Sequence, residues 1–278
     1  MRATARSPVP GRRRTPLRAA LDHAHGGRWT SLRTTDREWL WHRSTTDRHL
    51  VWPGHPFVDA GGLEECVPTV RGVPDHGHAW SRPWRQTGAN LWTTHCPDFV
   101  LSRSVRARSG AVVADYTLSA EPGYRFVWAA HALLDVGEDA TLTAPAGAPT
   151  RVYPDAGPTP SGPWPAPDGT RLDVLGPDDA TAVGAILLGC ASVLVTDGPD
   201  ALDMSLHCPG QPVSTALWRN LRGWPPEQPY RSIGVEPMLG GVFDLAEAGP
   251  DEAATVPASG VVSWRLTLTA HTNRKEQR

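Results

Sequence analysis

The chain has 278 residues, 40% of them hydrophobic, and a formal net charge of −2. That length supports a full hydrophobic core in one all-β domain, and the near-neutral balance argues against a dedicated nucleic-acid binder. No run approaches ~18 apolar residues, so no membrane-spanning helix is expected.

The N-terminus, MRATARSPVPGRRRTPLR, is arginine-rich without an apolar signal core. Residues 1–16 are read as a disordered tail, 17–270 as the domain and 271–278 as a polar tail. Of 27 basic residues, all but Lys275 are arginine, a bias assigned to GC-rich coding rather than to function. RWTSLRTTDREWLWHR is read as two strands joined at Thr35-Asp36. The stretch from Leu91 to Val136 reads as several strands, with turns at Pro97-Asp98, Arg108 to Gly110 and Pro122-Gly123. The segment 144–172 is dense in proline and glycine and is expected to be a long irregular loop. AILLGCASVLVTDGPDALDMSLHC reads as strands around Gly198-Pro199, and GVVSWRLTLTAH alternates cleanly as the last strand. Turn signals this frequent predict a largely antiparallel sandwich or barrel. Cys66, Cys96, Cys190 and Cys208 form no CxxC pair, so free thiols and a cytoplasmic location are expected.

Three places carry chemistry. In residues 61–84, Glu64 and Glu65 are adjacent, and His76 and His78 are one residue apart. On a strand the two histidines share a face and could share a metal, but a third ligand is needed and none falls at cupin-type spacing. No metal and no cofactor is therefore expected. His131 interrupts the apolar run YRFVWAAHALLDV; it reads as a satisfied core histidine or as a catalyst. Glu236, in SIGVEPMLGG, reads as a strand-end carboxylate facing water or as a held base, and Pro237 keeps its backbone extended. Twelve tryptophans add flat apolar faces of the kind that stack on sugar rings.

Taken in order, GGLEECVPTV, DHGHAWSRPW, FVWAAHALLDV, LWRNLRGW and GVEPMLGG resemble the aldose 1-epimerase (galactose mutarotase-like) superfamily over roughly residues 18–268. The resemblance implies an all-β fold, a large antiparallel β-supersandwich, with a sugar cleft on one concave sheet. By position, His76 matches a histidine that hydrogen-bonds the sugar near its ring oxygen, His131 the general acid and Glu236 the general base. The expected partner is a small-molecule sugar, not nucleic acid or a membrane, and no cofactor is implied. Glu64 and Glu65 are expected to accept sugar hydroxyls, Trp80, Trp84 or Trp128 to supply the apolar face, and Arg82 to lie near the sugar. A substrate-binding aspartate has no matching position; Asp178, Asp179 and Asp197 are the nearest.

Hexose-6-phosphate epimerases of that superfamily look like RGGIP-x-CFP where this chain has DAGGLEECVP, and like HGFAR where it has HGHAW. Ala60 and Trp80 stand in place of two arginines, which removes bidentate guanidiniums suited to phosphate. The implied reaction is anomer exchange on a neutral aldose. The alternatives are a carbohydrate-binding protein without turnover, a hexose-phosphate epimerase, or a lyase on a related sandwich.

Overall fold

Short strands dominate because proline and glycine interrupt any helical period. In the computed structural model, which describes residues 11–154 and 159–274, the secondary structure is strand with short 3-10 turns. Every strand pairing is antiparallel, and nearly all strands fall into two nine-stranded sheets. This is the large β-sandwich expected from the sequence.

One sheet runs Ser161–Pro163, Pro149–Pro154, Thr181–Leu188, Val213–Leu221, Arg231–Leu239, Trp128–Leu134, Leu63–Cys66, Arg28–Arg33 and Arg18–Asp22 from edge to edge. The other is centred on the last strand, Val261–Thr272, between Asp200–His207 and Ala111–Ala120. The turn between Phe99–Arg108 and Ala111–Ala120 is the tight two-residue hairpin Ser109-Gly110, both at positive φ, the geometry that matches strand twist. Gly198-Pro199 joins Ser192–Asp197 to Asp200–His207 in the same short way.

Alternation along the strands sorts the side chains. Trp128, Ala130, Ala132 and Leu134 face the core between the sheets, as do Ile233, Val235 and Leu239. The opposite face carries Ala129, His131, Gly234, Glu236 and Met238, part of it packed into a smaller apolar cluster with Cys66, Val70 and Phe243.

Two expectations on organisation need correction. The segment 144–172 is not wholly irregular, since Pro149–Pro154 and Ser161–Pro163 add two strands at a sheet edge. Prolines are tolerated there because an edge strand leaves some amides without a ladder partner, and Pro149, Pro154 and Pro163 all sit at strand ends. At the N-terminus, Arg13–Thr15 pairs with Ala270 to Thr272 of the last strand, so ordered structure begins before residue 17 and runs past 270. The rest of the expected tails, residues 1–10 and 275–278, lies outside the described residues.

No two of the four cysteines are bonded to each other. Among the described residues no helix is long and apolar enough to cross a membrane.

Candidate active site

Three neighbouring strands build the floor of a cleft on the face turned away from the inter-sheet core. His131 is level with Glu64 on one side, by direct pairing of their strands. On the other side, Ala129 pairs with Met238 and Leu133 with Gly234, a register that brings Glu236 level with His131. Cross-strand neighbours on one face stand within side-chain reach, and His131 Nδ1 lies 2.9 Å from Glu236 Oε1. The His131 ring is thus engaged by Oε1 as an ion pair, while Glu236 Oε2 is buried without a hydrogen-bond partner and keeps bonding capacity in reserve.

Gly234 makes room for this arrangement. It precedes Glu236 by two on the same face, and a Cβ at residue 234 would sit 2.6 Å from Glu236 Oε1 and 3.0 Å from Trp218 Cβ. The carboxylate therefore folds back over a bare backbone.

His76 arrives from a loop. Its backbone has a φ of 59°, an uncommon conformation for a residue with a side chain. The next residue must be glycine: a Cβ on Gly77 would meet the Val67 carbonyl oxygen at 2.1 Å. The His76 amide donates to Val70 O and the His78 amide to Val67 O, fixing the turn. The His76 ring stacks on Phe57 at a centroid distance of 3.5 Å and meets His131 edge-on at 5.1 Å.

The three residues share one cavity of about 580 Å³, lined also by Phe57, Asp59, Arg71, Asp75, Trp218, Trp224 and Tyr230. That volume falls in the ~300–1,000 Å³ range of small-molecule sites. Asn220, fully buried, holds one wall in place. Its amide nitrogen donates to the carbonyls of Trp224 and Tyr230, and its oxygen accepts from the amides of Gly223 and Trp224. Tyr230 in turn donates its hydroxyl to Asp59.

The electrostatics separate the two histidines. Burial disfavours an imidazolium at both positions. At His76 burial wins, and its pKa is lowered despite Asp75 alongside. At His131 burial is outweighed by the charge of Glu236, with help from Asp59 and Glu64, and the pKa rises from 6.5 to about 9. At neutral pH the site holds an imidazolium beside a carboxylate, with a neutral imidazole next to both.

The structure thus brings Glu236, His131 and His76 together, and sends the other expected sugar contacts elsewhere. Adjacent strand residues point to opposite faces. Glu65 points into the inter-sheet core, where it accepts from Arg103, Tyr116 and the indole N–H of Trp128. Glu64 points toward the cleft side but is taken by Arg48, whose Nε and Nη2 donate to it at 2.9 and 3.0 Å. Burial pushes the Glu64 carboxyl up, to about 7, against the pull of Arg48 and Arg28. Trp80, Trp84 and Trp128 are buried, at 1%, 3% and 0% exposure, and offer no free face. Arg82 donates to the His95 carbonyl and is not among the residues that line the cavity. The aromatic faces that do line it belong to Trp218, Trp224, Phe57 and Tyr230.

The aspartates resolve similarly. Asp178 is paired with Arg222 and Arg231, Asp197 with Arg37, and Asp179 accepts from Thr181. The carboxylates on the cavity besides Glu236 are Asp59 and Asp75. Asp59 opens the DAGGLEECVP motif, immediately before Ala60 in the place of the missing arginine. That adjacency was the sequence signal for it.

No family model matches this chain, and no curated protein matches it by sequence. Solved structures do. A protein from Synechocystis sp. PCC 6803 superposes with a TM-score of 0.69 at 15% identity, covering 98% of this chain and 99% of its own. A galactose mutarotase-like protein from Lactobacillus casei ATCC 334 gives 0.63 at 18% identity, covering 92% and 97%. The galactose 1-epimerase from Lactobacillus acidophilus NCFM gives 0.58 at 11% identity, covering 94% and 92%. The fold is that of the galactose mutarotase-like β-sandwich proteins, over nearly the whole chain.

Proposed function

We propose that the protein is an aldose 1-epimerase-like enzyme that interconverts the α and β anomers of a neutral aldose. The observation that carries this reading is the His131–Glu236 pair, in contact at 2.9 Å beside His76 in a sugar-sized cavity. Ring opening removes a proton from the C1 hydroxyl and delivers one to the ring oxygen, and both oxygens are bonded to C1. An acid and a base standing side by side therefore suit the substrate; they need not flank it from opposite sides.

In this mechanism Glu236 takes the C1 hydroxyl proton while the His131 imidazolium protonates the ring oxygen. The bond between C1 and the ring oxygen breaks as the aldehyde carbonyl forms. Rotation about C1–C2 presents the other carbonyl face. The hydroxyl at the former ring position then attacks C1, returns its proton to His131, and Glu236 reprotonates the new anomeric oxygen. His76, neutral, donates or accepts one hydrogen bond near the ring oxygen, and Trp218 or Trp224 supplies the apolar face.

A neutral sugar is favoured by the charge of the lining. Asp59, Asp75 and Glu236 face Arg71 and the imidazolium of His131, an excess of negative charge that a phosphate dianion would meet.

Polarimetry or saturation-transfer NMR on freshly dissolved α-glucose and α-galactose tests the reading. Glu236→Gln and His131→Ala should each reduce anomer exchange by ~10²–10⁴-fold with the fold retained. Sugar binding by titration without any exchange in the wild-type protein would replace the enzyme with a carbohydrate-binding protein. A preference for glucose 6-phosphate over glucose would overturn the choice of a neutral substrate.

A further inference from the structure

The cleft contains a buried thiol that anomer exchange does not use. Cys66 is fully buried and lies on the same sheet face as His131, because Cys66 pairs with Ala129, two residues along the neighbouring strand. The potential ligand atoms of Cys66, His76 and His131 all lie within 4.8 Å of one another. His131 is 9% exposed; its Nδ1 faces Glu236 Oε1 at 2.9 Å and the His76 Nδ1 faces Asp75 Oδ2 at 3.0 Å, while Glu236 Oε2 is buried without a hydrogen-bond partner. Buried polar groups normally find partners, and Glu236 Oε2, beside this cluster, has none.

We infer that Cys66, His76 and His131 form a binding site for a soft divalent cation of the zinc class. One thiolate and two imidazoles are a ligand set suited to Zn²⁺, and three protein ligands leave a fourth position open to water. Zinc–ligand bonds of ~2.0–2.3 Å place tetrahedral ligands about 3.5 Å apart, a small side-chain adjustment from the spacing in the apoprotein. Burial, reinforced by Glu236 and Glu64, keeps the free Cys66 thiol protonated, so the metal must expel that proton on binding. The strands fix Cys66 and His131, while stacking on Phe57 fixes His76.

The site shares His76 and His131 with the proposed sugar chemistry, but ion binding does not require that chemistry. If the proposed mechanism holds, a bound ion also engages the imidazole that serves as the acid, so metal binding and catalysis compete.

Co²⁺ as an optical stand-in and Zn²⁺ as competitor test this without any sugar. Adding Co²⁺ to the full chain should produce a thiolate-to-cobalt charge-transfer band with intense visible bands of a four-coordinate ion, and Zn²⁺ should bleach both. Cys66→Ser should abolish the charge-transfer band, and His76→Gln, in a loop outside the strands, should weaken Zn²⁺ binding at least tenfold. Because His76→Gln does not touch a strand, it keeps the test valid if the Cys66 variant fails to fold. A wild-type protein that shows no charge-transfer band overturns the site, as does a band that survives Cys66→Ser. So does Zn²⁺ affinity that is unchanged by His76→Gln but lost with His25→Ala, which would place the ion on the separate Asp22–His25–His49 cluster.

Discussion

Replacing Glu236 by glutamine removes a charge while preserving shape, and its first consequence falls on His131. Raising an imidazole from 6.5 to about 9 corresponds to ~3 kcal/mol of extra interaction for the charged form, at ~1.4 kcal/mol per pH unit. The folded value lies above the unfolded one. The associated stability is therefore fully present below 6.5, declines as pH rises toward 9, and is gone above it. In Glu236→Gln the charge that opposes burial is lost, and burial then dominates. His131 should titrate below 6.5, and the stability difference between wild type and variant should shrink as pH rises through that window. Heteronuclear NMR of the histidine side chains gives the titration directly, and urea unfolding on either side of the window gives the stability. A wild-type His131 that titrates at its ordinary 6.5, or a titration that Glu236→Gln leaves in place, would refute the ion pair as the organising feature of the cleft.

Gly234→Ala puts a methyl group 2.6 Å from Glu236 Oε1; it should cost about 1–3 kcal/mol and cut anomer exchange while leaving sheet content in circular dichroism unchanged. Glu65→Gln strips a buried carboxylate from Arg103 and should destabilise the fold by about 3–5 kcal/mol in denaturant melts. A raised KM for the sugar without loss of stability would instead return Glu65 to the substrate. Phe57→Ala removes the stack on His76 and should cost ~0.5–1.5 kcal/mol of ring ordering, read as weaker sugar binding in calorimetry and faster exchange broadening of the His76 ring.

The sandwich was legible because its signals are local. Ser109-Gly110 turns the chain where turn chemistry said it would, and Val261–Thr272 is the strand that alternation predicted. His76, His131 and Glu236 could be named from order along the chain, since each stands in a short motif, with Gly77 after His76 and Pro237 after Glu236. The errors arise where pairing decides the outcome. Glu64 and Glu65 look equivalent in sequence, yet the pleat separates them, and no local feature says that Arg103, 38 residues away, claims one and Arg48 the other. Trp80 and Trp128 have the flat faces of sugar platforms, but Trp128 is enclosed in the core between the sheets and Trp80 is covered by Phe57 and Arg48. Asp59 is marked in sequence only by its place beside Ala60, and nothing near it reveals the Tyr230 hydroxyl that orients it from 171 residues away. The prolines of 144–172 read locally as breakers, but a sheet edge leaves them room at strand ends.

The two adjacent glutamates also work as a key for strand registration. Arg48 and Arg103 are each 1% exposed, and each reaches the strand Leu63–Cys66 from a different side. A slip of this strand by one position would carry Glu64 into the inter-sheet layer and present Leu63 or Glu65 to the wrong partners, leaving at least one guanidinium enclosed without its counter-ion. Such a burial costs several kcal/mol, so misaligned pairings of this central strand are excluded by charge as well as by hydrophobic pattern. The same strand ends in Cys66 and pairs directly with the one that carries His131. The lock that aligns the β-sheet therefore also sets the height at which His131 stands in the cleft.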